Sequence, residues 1–178
     1  MYVTTYASPL GTVTLASNGD ALTGLWLEGQ KYFAASSHDT WTENPDLPVF
    51  AQAQNWLDRY FAGQNPSSTD VPLAPTGSAF RHYVWDMLCA IPYGQLTTYG
   101  ALASRLAERL GKKSMSSQAV GGAVGHNPIS IIIPCHRVVG AGGNLTGYAG
   151  GINKKIQLLD LEGVDTSTLF IPTKGTAL

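Results

Sequence analysis

Residues 98–125 read TYGALASRLAERLGKKSMSSQAVGGAVG, and two helices can be drawn through them. Thr97 or Thr98 can cap a first helix over residues 99–110, whose apolar positions Leu102, Ala103, Leu106 and Leu110 share one face. Gly111 is a C-terminal stop, followed by Lys112-Lys113 and a serine-rich turn. Ser114 or Ser116 can cap a second helix through Gln118, Ala119, Val120, Ala123 and Val124. A helix, a turn and a second helix rich in small residues predict a helix-turn-helix. Gly121-Gly122 lets another backbone, protein or nucleic acid, come close to it. Many helical hairpins share this pattern, so alone it does not select DNA.

Upstream, Ser78 can cap a helix over residues 79–90 with Phe80, Val84, Met87, Leu88 and Ile91 on one face, ended by Pro92-Tyr93-Gly94. Residues 64–77 hold Pro66, Pro72, Pro75 and Gly77 and read as a linker. Residues 48–61 read as a helix with Val49, Phe50, Ala53, Trp56, Leu57, Tyr60 and Phe61 at apolar positions, stopped by Gly63. The first thirty residues read as a β-meander, with strands over 2–6, 12–16 and 21–27 joined at Ser8-Pro9-Leu10-Gly11 and Asn18-Gly19. Residues 28–46 lack periodicity and read as a loop. The expected fold is α/β (α+β) in two domains. Residues 1–77 form a small amino-terminal domain with a short antiparallel sheet and a helix; residues 78–178 form a mainly helical domain carrying the helix-turn-helix.

The chain has 178 residues, 44% hydrophobic and 13% charged, enough apolar material to exclude wholesale disorder. Its longest aliphatic run, residues 129–133, is too short to span a bilayer. The start, Met1-Tyr2-Val3-Thr4-Thr5-Tyr6, has neither a basic nor an apolar leader region, and two cysteines are too few for a disulfide framework. The expectation is a cytoplasmic protein with no membrane partner. Residues 1–77 set Lys31 and Arg59 against seven acids, a balance of −5, whereas residues 78–178 carry nine bases and five acids, a balance of +4. That asymmetry fits a carboxy-terminal half facing a polyanion, and it also arises by chance in small domains.

The chemistry concentrates in His126-Asn127-Pro128-Ile129-Ser130-Ile131-Ile132-Ile133-Pro134-Cys135-His136-Arg137-Val138-Val139-Gly140. A buried β-like run is expected to deliver Cys135 at its end, with His136 and Arg137 directly after it. The thiolate is the reactive form of cysteine, and a neighbouring base or cation raises its population. Neighbours in a strand point apart, so His136 has to act across a turn or through a water. Composition alone leaves Cys135 open between an activated thiol and a buried small hydrophobe.

Pro134-Cys135-His136-Arg137-Val138 resembles the active-site motif of the O6-alkylguanine-DNA alkyltransferases. Other segments are similar in the same order: Phe80-Arg81 through Tyr93-Gly94, Thr98-Tyr99-Gly100-Ala101-Leu102-Ala103, Gln118-Ala119-Val120-Gly121-Gly122-Ala123, Asn127-Pro128, Gly147-Tyr148-Ala149-Gly150-Gly151, and Leu158-Leu159 to Glu162-Gly163. The resemblance implies a self-sacrificing DNA repair protein, a monomer acting on double-stranded DNA that carries alkylated bases. By the same resemblance, the helix-turn-helix would enter the minor groove and the damaged base would be rotated out of the stack. The alkyl group would then pass irreversibly from O6 of guanine, or O4 of thymine, to the cysteine, with no cofactor.

By matching position, the resemblance makes Cys135 the nucleophile and His136 a water-mediated base oriented by Glu162. Tyr99 would donate its hydroxyl to guanine N3, and Asn127 would be the hinge between recognition helix and active-site strand. Tyr148, Ala149, Val138 and Gly150 would bind the flipped base. Gln118, Ala119, Gly121, Gly122, Lys112, Lys113 and Arg137 would face DNA. Ala149 stands where a hydroxyl-bearing variant occurs and leaves only a backbone donor. Gln118 stands where many members place an arginine that fills the hole left by the extruded base. A neutral glutamine can hydrogen-bond the orphaned cytosine but brings no cation, which implies altered flipping or affinity. For Cys89 the sequence offers no activating neighbour except Arg81 or His82, two helical turns away. His38, His82, His126 and His136 show no ligand spacing, and no metal is expected.

Overall fold

The computed structural model describes residues 1–34 and 40–172, so His38 lies outside the described residues. The chain divides into two compact units, Met1–Gly77 with Pro128–Ile132, and Ser78–Asn127 with Ile133–Leu178.

The first unit is built on β1 (Tyr2–Ser8), β2 (Gly11–Ser17) and β3 (Leu22–Leu27), antiparallel neighbours in that order. The β1–β2 connection is closed by Ser8, whose hydroxyl accepts from Leu10 N and donates to Gly11 O. At the next turn Asn18 Oδ1 accepts from Asp20 N and Ala21 N, and Gly19 takes φ +114. Asparagine's short acceptor and glycine's freedom at positive φ are what that turn needs. One feature departs from the sequence expectation. Inside the stretch read as loop, β4 (Thr42–Glu43) pairs parallel with β1, giving sheet order β3-β2-β1-β4. Two residues carry no periodic signal, so only the long-range pairing reveals them.

The helix α1 (Pro48–Phe61) buries Val49, Phe50, Ala53, Trp56, Leu57 and Tyr60, and packs on β1, β2 and β3. Pro48 suits the first helical position because its missing N–H would have no partner there. The outer edge of β3 does not stay open. Leu22 exchanges hydrogen bonds with Pro72 O and Ala74 N, and Leu25 with Pro128 O and Ser130 N. Covering an edge in this way removes unpaired backbone groups.

The segment Pro128–Ile132 pairs with β3 through the isolated bridge of Leu25 to Ile129 rather than as a strand. The expected β-like run is therefore corrected. Ile132 N donates to Ser130 O at 2.8 Å across Ile131, whose φ is +69. That is a γ-turn with a β-branched residue in the left-handed region, a conformation costing about 1–3 kcal/mol. Ile131 is buried, and burial of its side chain offsets the strain.

The second unit contains α2 (Ala79–Cys89), β5 (Thr97–Thr98), α3 (Tyr99–Arg109), α4 (Ser117–Gly125), β6 (Val138–Val139) and α5 (Ile152–Leu161). Val84, Trp85 and Leu88 of α2 pack with Leu102 and Leu106 of α3 and Val120, Ala123 and Val124 of α4, and Trp85 Nε1 donates to Ala123 O at 2.9 Å. Thr98 caps α3 by accepting from Ala101 N, and Ser116, not Ser114, caps α4 by accepting from Ala119 N. The pair α3–α4 forms the expected helix-turn-helix. β5 and β6 pair in parallel, Thr97 with Val138 and Thr98 with Val139, which fixes the start of α3 beside the segment following Cys135.

Candidate active site

Cys135 opens a 3₁₀ turn, Cys135–Arg137, that begins just after Pro134. Cys135 N donates to Ile133 O at 2.8 Å across Pro134, whose φ −81 and ψ 64 define an inverse γ-turn. Proline has φ preset near this value, so the ring itself helps aim the thiol. Asn127, two residues beyond the end of α4, donates through Nδ2 to Ile133 O at 2.7 Å and to Cys135 Sγ at 3.1 Å. Burial pushes the Cys135 thiol up, while the Asn127 hydrogen bond and the Lys155 charge pull it down.

His136 is fully buried, and its Nε2 lies 2.6 Å from Glu162 Oε1. Burial holds His136 below its ordinary value against the carboxylate's pull, so the neutral ring is favoured. With Nε2–H given to Glu162, the ring lone pair stays on Nδ1. Glu162 sits at the C-terminal cap of α5, an unfavourable place for an anion, and is buried. It is satisfied there by His136, by Gly94 N at 3.0 Å, and by Arg137 through Nε at 2.9 Å and Nη2 at 3.1 Å. Burial alone would raise its carboxyl; the His136 and Arg137 hydrogen bonds override that and hold it well below the usual carboxylate range.

Arg137 therefore needs correction. It was expected to face DNA, yet its guanidinium donates to Glu162 and to Ile91 O (2.6 Å), and it lies over the Tyr93 ring. Nε and Nη2 are committed to the carboxylate that holds His136, and Nη1 to the Ile91 carbonyl. Val138 has no exposed surface, and its carbonyl accepts from Lys155 Nζ at 2.5 Å.

The remaining residues divide clearly. Tyr99 donates its hydroxyl to Thr146 O at 3.1 Å, and burial raises its pKa. A side chain on Gly147, which has φ +76, would come within 3.0 Å of the Tyr99 hydroxyl. Tyr148 is buried and its hydroxyl has no hydrogen-bond partner; burial, then the nearby Cys135 and Glu162, raise its pKa. Ala149 and Gly150 are half-buried beside it. Gln118, Ala119 and Gly122 of α4 and Lys112 and Lys113 of the preceding turn are exposed, and Gly121 is partly so. Cys89 is exposed. Among the described residues no group of three or more His, Cys, Asp or Glu could hold a metal ion, and no helix is long and apolar enough to cross a membrane.

One site-lining residue escapes sequence reasoning. Lys155 is fully buried, donates to Val138 O and, at 3.3 Å, to Thr146 O, and burial pushes it down to about 8. Its only sequence signal is position. It lies three residues after Ile152 and four before Leu159, on the inward face of α5.

A buried thiol bonded by an amide, a buried histidine–carboxylate pair and a helix-turn-helix define the class: a protein with an activatable cysteine in the same unit as a helix-turn-helix. Residues 79–164 match the family described as 6-O-methylguanine DNA methyltransferase, DNA binding domain, and residues 1–75 match 6-O-methylguanine DNA methyltransferase, ribonuclease-like domain. The chain belongs to the 6-O-methylguanine DNA methyltransferase family. It is 41% identical over 164 residues to a methylated-DNA–protein-cysteine methyltransferase of Haemophilus influenzae, covering 92% of this chain and 87% of that one. The protein of the same name from Mycobacterium bovis is 46% identical over 158 residues, covering 89% and 90%. The crystal structure of Mycobacterium tuberculosis OGT in complex with DNA superposes with TM-score 0.78 at 42% identity, covering 96% of this chain and 99% of that one.

Proposed function

We propose that this protein repairs duplex DNA by taking the alkyl group from O6 of an alkylated guanine, or O4 of an alkylated thymine, onto Cys135, irreversibly and once per molecule. The observation that carries it is the hydrogen bond from Asn127 to Cys135 Sγ beside the buried His136–Glu162 pair, in a chain of this family. An O-alkyl carbon is out of reach inside a stacked duplex, so the base must first be extruded, at a cost of about a few kcal/mol. The exposed residues Gln118, Ala119 and Gly122 of α4, with the partly exposed Gly121, enter the minor groove, and Lys112 and Lys113 attract phosphates. Tyr148, Ala149 and Gly150 receive the base.

Burial favours the neutral thiol at rest, so deprotonation accompanies attack. The Cys135 proton leaves through a water to His136, whose neutral ring Glu162 orients. The thiolate attacks the alkyl carbon, the S–C bond forms as the C–O bond breaks, and the base leaves with the electron pair. Tyr99 exchanges its Thr146 carbonyl for guanine N3 and stabilises the departing anion, which finally takes the proton released by the thiol. A reaction that needs a free thiol fits a reducing compartment, and we assign the protein to the cytoplasm.

Intact-protein mass after mixing with a duplex containing one O6-methylguanine tests the proposal. A single added CH₂ on the peptide containing Cys135, stoichiometric and without turnover, is expected. Unchanged mass with lesion-dependent binding would leave a recognition protein only, and unchanged mass without binding would leave the fold alone.

A further inference from the structure

The loop between β6 and α5 carries Tyr148; within it Gly140 N donates to Asn144 O at 2.7 Å and Gly151 N donates to Tyr148 O at 3.0 Å. Asn144 Oδ1 and the Tyr148 hydroxyl are both buried without hydrogen-bond partners, an arrangement that is unfavourable on its own. Groups outside the loop hold it as well. On one side Thr146 O accepts from Tyr99 and Lys155. On the other runs the segment after α5. Leu145 N donates to Phe170 O at 2.9 Å, and Phe170 N donates to Gly143 O at 3.1 Å, bridging Asn144 to Phe170. Leu169 packs against the cluster of Val139, Leu145 and Leu159. The approach is tight: Gly143 has φ +90, and a Cβ there would meet Thr168 O at 2.9 Å and Leu169 Cδ2 at 3.2 Å.

The segment is itself anchored at its start. Val164 N donates to Leu159 O, Thr166 Oγ1 donates to Asp160 Oδ1, and Asp165 caps the 3₁₀ turn Thr166–Thr168 by accepting from Ser167 N. By contrast the Phe170 side chain is half-exposed, so the residue acts through its backbone. A strap tied at Asp160 and Leu159 thus ends in two hydrogen bonds on the loop that bears Tyr148.

We propose that the Leu169–Phe170 strap is a positioning and specificity element. It sets the wall that Tyr148 presents to the O6 substituent, and so selects small alkyl groups over bulky ones. The inference rests on the assignment of Tyr148 to the base pocket made above. With the strap in place the wall is close, and a methyl group is held in line with the thiol. Released, the Gly143–Asn144–Leu145 stretch moves outward, which misaligns a methyl group but makes room for a benzyl group. Misplacement on the scale of an ångström costs about tenfold to a hundredfold in rate.

Phe170→Pro removes the donor to Gly143 O, and the extended Leu169 before it (φ −93, ψ 150) tolerates a following proline. Phe170→Ala keeps both backbone bonds. Single-turnover rates with O6-methylguanine and O6-benzylguanine duplexes, and affinity for the undamaged duplex, are measured for wild type and both variants. For Phe170→Pro the methyl-to-benzyl rate ratio is expected to fall about tenfold with duplex affinity unchanged, whereas Phe170→Ala keeps the wild-type ratio. Gly143→Ala, which pushes the strap away, is expected to lower the ratio as well. An unchanged ratio in Phe170→Pro and Gly143→Ala overturns the proposal, as does a parallel fall of both rates in step with lost thermal stability. If wild type transfers no alkyl group at all, the broader assignment fails instead.

Discussion

Asn127 Nδ2 reaches Cys135 Sγ at 3.1 Å while also donating to the carbonyl of Ile133 at 2.7 Å. One amide therefore holds the turn that delivers the thiol and touches the thiol itself. A donor so placed favours the thiolate over the thiol, against the opposing effect of burial.

Asn127→Ala is expected to slow alkyl transfer about tenfold to a hundredfold, because the turn and the thiolate lose the same partner. Single-turnover kinetics with an O6-methylguanine duplex, beside duplex affinity, check it. A variant with the wild-type rate constant would remove Asn127 from any role in the reaction.

Glu162→Gln strands Arg137 in the interior with its anion gone, and removal of one member of a buried pair costs about 3–5 kcal/mol. Chemical denaturation should show a loss of that size, together with a slower transfer from a misoriented His136. A change within error would mean the Glu162–Arg137–His136 cluster contributes no net stability.

Acid should unfold the protein in two overlapping steps. His136 is depressed in the fold, so the unfolded chain takes up its proton first, and stability falls as pH drops below its ordinary value of about 6.5. Glu162 is also depressed; its contribution is present above the ordinary glutamate value of about 4.3 and is lost as pH falls further. Thermal melting from pH 8 to pH 3 should show stability declining throughout the acid range, with the lower part flattened in Glu162→Gln. Melting temperatures that rise with acid would contradict both assignments.

Lys155→Met removes a buried cation that lowers the Cys135 pKa. The pH profile of Cys135 alkylation by iodoacetamide should shift to higher pH, even where stability is preserved by the similar apolar volume. A profile superimposable on wild type would show that the Lys155 charge is not felt at the thiol.

Gln118→Arg adds a cation at the exposed start of α4. Affinity for duplex should rise several-fold, and Lys112→Ala should make the salt dependence shallower by about one unit of slope. Binding isotherms across salt concentrations measure both; slopes unchanged in Lys112→Ala would remove that turn from the phosphate contacts.

The local elements were legible in the sequence because their causes are local. The apolar spacing of α1 and α3, the Asn18-Gly19 turn, and the stops at Gly63 and Gly111 each act within a few residues. The helix-turn-helix and the Pro134-Cys135-His136-Arg137 motif were legible for the same reason, and the resemblance spanning residues 78–165 pointed to the family. Pairing and burial were not. β4 exists because two residues meet β1 across forty positions, and the run at 129–133 looks like a strand although Ile131 turns it.

Charged side chains show the division most plainly. Sequence alone presents Arg137, Lys155 and Glu162 as charges, and a charge read in isolation belongs in water. Their burial depends on partners brought from distant positions: the Glu162 carboxylate for Arg137, the Val138 and Thr146 carbonyls for Lys155, and Gly94 N and His136 for Glu162. The sequence determined which helices form, where the cysteine lies and which family the chain belongs to. The tertiary structure decided which charges support the thiol, because the free energy that permits a buried charge is supplied by groups far away along the chain.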